Sequence, residues 1–260
     1  KSCKEETQLD RNRNIRNFSW KDLETWVNLL NEITISVNGT SLMDLELAKQ
    51  MLSQPSCNPE QNCFLAEVDN TTVGFTLITP ELPIQRAIIS GGVVNQYRRA
   101  GIGRALLEAS IEQATTLRAS VLHVQTEFEN TSAKCLYETC GFQPVRNYSR
   151  MTWSGDTVPV PKLPAGFYIR SFGKKKDAEI LTDLQNTVFN GSWGFSPNSV
   201  EQIKTRLKFK TSDPEGIILA TSGSEDVAYN WTLRDPTDTH PTGQISMTGV
   251  RPDHRNLGLG

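Results

Sequence analysis

One stretch decides much of what this chain can fold into: Val93-Val-Asn-Gln-Tyr-Arg-Arg-Ala-Gly-Ile-Gly-Arg-Ala-Leu-Leu107, an apolar strand end, a basic turn with two glycines, then a helix. The first amide groups of a helix have no partner within it and carry the positive end of its dipole, so an anion placed there is stabilised. Gly101 and Gly103 suit a close approach of phosphate to the backbone, because a side chain would block it or strain the turn. Arg98, Arg99 and Arg104 gather positive charge at the same spot, in a chain whose formal net charge is only -2. A Gly-x-x-x-x-Gly-Lys phosphate loop is excluded, since no Lys follows Gly103. A dinucleotide fingerprint is excluded too, since Leu106 stands where its third glycine belongs.

The flanking pattern alternates strands and helices. Residues 14–20 read as a short strand, and Trp20 to Ile33 as a helix with Leu23, Trp26, Val27 and Leu30 at helical spacing and Ser19 as its cap. A second helix is expected over Ser41 to Leu52, with Leu42, Leu45, Ala48 and Met51 on one face. Two strand-like runs, Phe64–Val68 and Val73–Ile78, flank a polar turn at residues 69–72, and Ile84 to Val94 is the strand that feeds the glycine loop. After a strand at Val121 to Thr126 comes a helix with Asn130 or Thr131 as N-cap and Gly141 as its stop. Ala133, Leu136, Tyr137 and Cys140 share one face of it.

Two segments carry a resemblance. Arg98-x-x-Gly101-x-Gly103, preceded by Val93-Val94-x-x-Tyr97, resembles the acyl-CoA pyrophosphate loop of the GNAT acetyltransferase superfamily, with Asn95 where the family often has proline. Asn130-x-x-Ala133-x-x-Leu136-Tyr137-x-x-x-Gly141-Phe142 resembles the second GNAT signature and follows the first at the customary distance. The resemblance covers about residues 14 to 153. It implies an α/β (α+β) fold with a mixed, mostly antiparallel sheet flanked by helices. It also implies acetyl-CoA as cosubstrate, held by Val93, Val94, Arg98, Arg99, Ala100, Gly101, Ile102, Gly103, Arg104, Asn130 and Tyr137.

The second half repeats the first. Ile15-Arg16-Asn17-Phe18 recurs as Ile169-Arg170-Ser171-Phe172, Val37-Asn38-Gly39-Thr40 as Phe189-Asn190-Gly191-Ser192, and Phe64-Leu65-Ala66 as Ile218-Leu219-Ala220. Arg255, Gly258 and Gly260 stand where Arg98, Gly101 and Gly103 stood. Offsets that stay between 152 and 157 residues mark a duplicated domain. The expected organisation is a polar tail at 1–13, a complete first domain at 14–153, a Pro/Gly-rich linker at 154–166, and a partial second domain at 167–260 that ends in its glycine loop and lacks the following helix. A tandem of this type is similar to double-GNAT proteins.

The reaction implied by the resemblance is attack of an amine on the acetyl thioester in a ternary complex, with Tyr137 as the acid that protonates the departing thiolate. A bulge near Val93 and Val94 is expected to free backbone groups for the thioester. Glu127 or Glu129, just beyond a strand end, are the candidates for the base, with Glu67 and a water chain as alternatives; His123, flanked by apolar residues, reads as structural. The different class that stays open is a catalytically inert GNAT-like module that binds CoA or a protein partner. The acceptor, a small-molecule or peptide amine, is not fixed by the sequence. Near-neutral charge gives no support to nucleic-acid binding, and the absence of a long apolar run gives none to a membrane role. Five cysteines without a C-x-x-C pair suggest a reducing, cytoplasmic setting and no metal site.

Overall fold

The structure is a computed structural model and describes residues 13–37, 42–155, 157, 160, 162–173, 176–234 and 243–260. Residues 1–12 of the expected tail, the repeat residues Asn38 to Thr40, and parts of the expected linker lie outside the described residues. The chain divides into two compact units at Phe142 and Gln143. That division falls ahead of the boundary expected at 153, and residues 143–153 form no helix or strand.

In the first unit the order is β1 (Arg13–Asn17), α1 (Leu23–Ser36), α2 (Leu45–Leu52), α3 (Pro59–Asn62), β2 (Cys63–Val68), β3 (Thr71–Glu81), β4 (Arg86–Val93), α4 (Ile102–Thr116), β5 (Val121–Val124) and α5 (Thr131–Thr139). The sheet runs β1-β2-β3-β4-β5. Its first three pairings are antiparallel and β4–β5 is parallel, the mixed sheet expected. β2 and β3 are joined by Asp69 and Asn70 with φ of 50° and 64°, the left-handed pair a tight hairpin turn needs. Arg13, assigned to the tail by sequence, is the first residue of β1.

The core lies between the sheet and its helices. Trp26 of α1 meets Phe75 of β3 edge-on with ring centres 5.3 Å apart, among Phe18, Leu52, Leu65 and Val73. Each such side chain contributes about 1.5–3 kcal/mol by leaving water. Across the sheet, Leu107 and Ala114 of α4 pack on Ile78, Ala87 and Ile89. Ser110 of α4, fully buried, donates to Leu106 O at 2.8 Å and shares a hydroxyl–hydroxyl hydrogen bond with Thr76 Oγ1 at 2.8 Å. One helix face departs from expectation. Asp44 caps α2, accepting from Leu47 N at 2.8 Å, so the helix begins at Leu45. Leu42 precedes the helix, and Ala48 and Leu52 are buried while Leu42, Leu45 and Met51 are exposed.

The second unit repeats the first as β6 (Phe167–Ser171), α6 (Asp177–Phe189), α7 (Val200–Arg206), β7 (Ser212–Ser222), β8 (Glu225–Arg234) and β9 (Gly243–Val250). Its sheet, β6-β7-β8-β9, is antiparallel throughout. Leu181, Leu184, Ile203, Ile217 and Leu219 form its core. The repetition extends to side-chain hydrogen bonds. Asn31 of α1 clasps the backbone of Met43, donating to its O and accepting from its N at 2.8 Å each; Asn186 of α6 clasps Asn198 the same way at 2.9 Å.

Candidate active site

The site starts from three glycines that let the sheet be crowded. A Cβ on Gly91 would lie 2.1 Å from Phe75 O, one on Gly92 2.9 Å from Ile33 of α1, and one on Gly74 3.0 Å from Gly92 O. Only glycine fits the first of these positions. The β3–β4 ladder runs without a register shift from Gly74–Val93 to Glu81–Arg86. The bulge expected at Val93 and Val94 is therefore absent, and Val94 N–H is not free, since it donates to Val73 O at 2.9 Å. The opening lies on the other edge. β5 ends at Val124 opposite Ile89, while β4 continues to Val93. In an antiparallel ladder successive residues face alternate neighbours, so Gly91 and Val93 turn their backbone groups toward the side β5 has left. Val93 O on that side accepts from Arg98 Nε at 2.8 Å, which leaves Val93 N–H and both backbone groups of Gly91 on the open edge.

The glycine loop follows. Arg99 and Gly101 adopt left-handed φ of 63° and 81°, turning the chain into α4 with Gly101 as its N-cap. The first bond of the helix runs from Ala105 N to Gly101 O at 3.1 Å, so Ile102, Gly103 and Arg104 present their N–H groups outward. Each nitrogen of the Arg98 guanidinium has a partner, Nη2 donating to Ser36 Oγ at 2.8 Å and Nη1 to Asn95 Oδ1 at 3.4 Å besides the Nε bond to Val93. Arg13 braces the opposite side, donating to Ala100 O at 2.6 Å. Arg99 is exposed, and its guanidinium has no partner among the described residues.

Asn130 caps α5 as expected, its Oδ1 accepting from Ala133 N at 3.1 Å. The helix closes with Phe142 N donating to Tyr137 O and Gly141 N to Glu138 O, both at 3.0 Å, with Gly141 at φ 88°. This double closure is the Schellman arrangement, completed by the Phe142 ring packing on Tyr137 at 6.0 Å between centres. Tyr137 is half-buried, burial pushes its hydroxyl up from the ordinary 10.0, and that hydroxyl has no hydrogen-bond partner among the described residues.

Gly103 joins the pieces. A Cβ there would lie 3.2 Å from Leu136 of α5 and 3.9 Å from Val93 of β4, so the missing side chain lets the helix start, the tyrosine helix and the open strand end converge. Arg104 adds a tie, donating from Nη2 to Thr139 Oγ1 at 3.0 Å. Of the candidate bases, Glu127 and Glu129 are exposed on the loop before α5. Glu67 accepts from Arg16 Nε at 2.7 Å, within a network that also holds Asp22. His123, opposite Ile88 in the parallel pair, is pushed below 6.5 by burial and by the charge of Arg86, with Glu81 opposing. Sequence reasoning missed Arg13, Ser36 and Gly91. A glycine directly before Gly92 and the strand end was the only signal for the last, and nothing local marked the other two.

A cradle of this kind suits an acyl-CoA. Three outward amides and an exposed arginine answer a pyrophosphate, and an unpaired strand edge answers an amide-bearing arm.

Residues 23–142 match the acetyltransferase (GNAT) family. A mycothiol acetyltransferase of Segniliparus rotundus is 27% identical over 213 residues, covering 78% of this chain and 77% of that one. Other relatives of that name are matched over as little as 50% of their own length. Among solved structures, a GCN5-related N-acetyltransferase from Sphaerobacter thermophilus aligns at TM-score 0.72 and 18% identity, covering 97% of this chain and 80% of that one. A tandem GNAT protein from the clavulanic acid biosynthesis pathway aligns at 0.66 and 14% identity, covering 96% and 82%. These two likenesses concern the fold, and both extend over the duplicated units. The glycine loop and the tyrosine helix both lie inside residues 23–142, the part of the chain that matches the acetyltransferase (GNAT) family.

Proposed function

We propose that this chain is an N-acetyltransferase that moves an acetyl group from acetyl-CoA to a primary amine by direct attack within a ternary complex, the first unit doing the chemistry. The observation that carries this reading is the convergence at Gly103, which brings the start of α4, the Tyr137 helix and the open end of β4 together.

The pyrophosphate of the cosubstrate lies against the N–H groups of Ile102, Gly103 and Arg104, with Arg99 as the exposed cation beside them. Its pantetheine arm pairs with the open edge of β4 as an added strand, meeting Val93 N–H first, and Gly91 N–H, farther from the loop, hydrogen-bonds the thioester oxygen where charge develops. The amine nitrogen attacks the carbonyl carbon, the C–S bond breaks, the Tyr137 hydroxyl gives its proton to the leaving thiolate, and the proton shed by the new amide nitrogen passes through solvent to restore the hydroxyl. With its pKa pushed above 10.0, that hydroxyl stays protonated through the neutral range. An alkylammonium must lose a proton before attack, and Glu127 or Glu129 receives it, directly or through water. Asn130 contributes through the cap that fixes α5.

The relatives' name makes a mycothiol precursor the first acceptor to try, beside small amines and peptide N-termini. Cys57, Cys63, Cys135 and Cys140 are all free, which supports a reducing compartment such as the cytoplasm. No helix among the described residues is long and apolar enough to cross a membrane. The reading is tested by following free-thiol release from acetyl-CoA across a panel of amine acceptors. Acceptor-dependent release supports it. Acetyl-CoA binding without turnover on any amine, including the mycothiol precursor, favours an inert CoA-binding module.

A further inference from the structure

An arginine at the head of a phosphate loop invites the role of phosphate ligand, but the hydrogen bonds of Arg98 point elsewhere. Its Nε donates to Val93 O at 2.8 Å, at the end of β4, and its Nη2 to Ser36 Oγ at 2.8 Å, in the last turn of α1. Nη1 faces Asn95 Oδ1 at 3.4 Å. The second unit repeats this with different neighbours. Arg255 Nε donates to Val250 O at 3.1 Å, at the end of β9, and Nη2 to Val188 O at 2.8 Å, in the last turn of α6. A backbone carbonyl thus replaces the serine hydroxyl, yet the span from strand end to helix end is kept.

The backbone that follows each arginine is also the same. Arg99 and Gly101 have φ of 63° and 81°, and Asn256 and Gly258 have φ of 63° and 85°. A left-handed arginine is unfavourable on its own and persists only where its surroundings hold it. In both units an arginine stands directly before the left-handed residue, Arg98 before Arg99 and Arg255 before Asn256, and bridges the strand end to the helix end.

We propose that Arg98 is a positioning residue: a strut that pins the loop to β4 and α1, so that the N–H groups of Ile102, Gly103 and Arg104 face the pyrophosphate, while making no phosphate contact itself. The exposed Arg99 is the charge that meets the ligand. The proposal rests on the reading of this loop as the acetyl-CoA pyrophosphate site.

The test compares the full chain with Arg98→Lys, Arg98→Gln and Arg99→Gln. Acetyl-CoA affinity is measured by calorimetry at several ionic strengths, and amide hydrogen exchange is followed in the unliganded protein. A strut predicts that Lys and Gln at 98 weaken binding alike, by about tenfold on the scale of one lost charged hydrogen bond. The salt dependence of binding stays that of the parent, and amides 99–104 exchange faster. Arg99→Gln makes the salt dependence shallower and leaves exchange unchanged. Binding by Arg98→Lys at parental strength, with Arg98→Gln weaker and less salt-dependent, identifies a direct phosphate ligand and overturns the proposal.

Should the Arg98 variants not fold, Ser36→Ala removes one end of the strut. Faster loop exchange with about threefold weaker binding supports the proposal, and parental behaviour in both overturns it. If the parent chain does not bind acetyl-CoA, the cofactor reading fails. Loop exchange in Arg98→Lys then decides the strut alone, acceleration upholding it and parental exchange refuting it.

Discussion

Glu67 and Asp226 stand on opposite members of equivalent strand pairs, yet each closes on the same arginine of its own unit. Glu67 of β2 faces Thr72 of β3, whereas in the second unit Thr221 of β7 faces Asp226 of β8. The carboxylate has crossed the ladder. Arg16 Nε still meets Glu67 at 2.7 Å and Asp22 through Nη1 at 2.7 Å, while Arg170 Nε meets Asp226 at 2.8 Å and its Nη1 meets Asp177. Retention of the triad through exchange of its members identifies it as a structural tie between the first strand, the start of the first helix and the hairpin. That assignment takes Glu67 out of consideration as the catalytic base.

The exchange predicts a rescue. Glu67→Thr should cost the first unit about 1–2 kcal/mol, the range for a half-buried charged hydrogen bond. Adding Thr72→Asp, which copies the second unit, should restore at least half of it. Denaturant unfolding of the parent, single and double variants measures this, and losses that simply add would refute the equivalence.

Acid should weaken the same tie. Hydrogen bonds from Arg16 hold the Asp22 carboxyl below its ordinary 3.8, aided by Ser19 N–H and outweighing burial. Asp177 is likewise held below 3.8, burial pushing it up but Arg170 and Gly173 N–H pulling it further down. A carboxyl with a depressed folded pKa stabilises above its unfolded pKa and loses that contribution as pH falls through the folded value. Stability attributable to these groups should therefore be constant from neutrality to about pH 5 and decline below 3.8. Asp22→Asn should lose about 1.5–3 kcal/mol at pH 7 and show a shallower acid decline in a pH series of unfolding curves.

Two glycines should answer differently to alanine. At Gly91 the new Cβ would fall 2.1 Å from Phe75 O, which forces β3 and β4 apart, so Gly91→Ala should cost about 2–4 kcal/mol and disable acetyl-CoA binding. At Gly141, with φ 88° and nothing within 4 Å of the new atom, Gly141→Ala should cost only about 1 kcal/mol of left-handed strain. Thermal unfolding with binding measurements on both variants separates a steric from a conformational requirement.

Tyr137→Phe should lower kcat about 100-fold, the usual scale for loss of a general acid, with little change in the KM for acetyl-CoA. The ring stays seated against Phe142, because the Schellman closure and packing do not use the hydroxyl. Steady-state kinetics with the best acceptor checks this, and an unchanged kcat would remove Tyr137 from the chemistry.

Much of this architecture was legible in the sequence because it rests on local chemistry. The glycine loop, the Asn130 cap and the Gly141 stop each act within a few residues, and the duplication showed as repeated short motifs. The readings that changed depend on distant partners. Whether Val94 is free is decided by Val73, and the opening beside Val93 by where β5 ends. The buried face of α2 is decided by what packs on it, which takes Ala48 and Leu52 and leaves Leu45 and Met51 exposed. Arg98 reads in the sequence as one of three gathered cations because Ser36, its partner 62 residues away, gives no local signal.

The decisive measurement is calorimetric titration of acetyl-CoA into the full chain, beside Gly101→Glu/Gly103→Glu and, as a control in the second unit, Gly258→Glu. The account predicts binding by the parent, binding by the Gly258 variant, and none by the double variant, whose carboxylates occupy the anion cradle at the start of α4. Binding that survives the double substitution would contradict it, and would move the cofactor away from the first glycine loop.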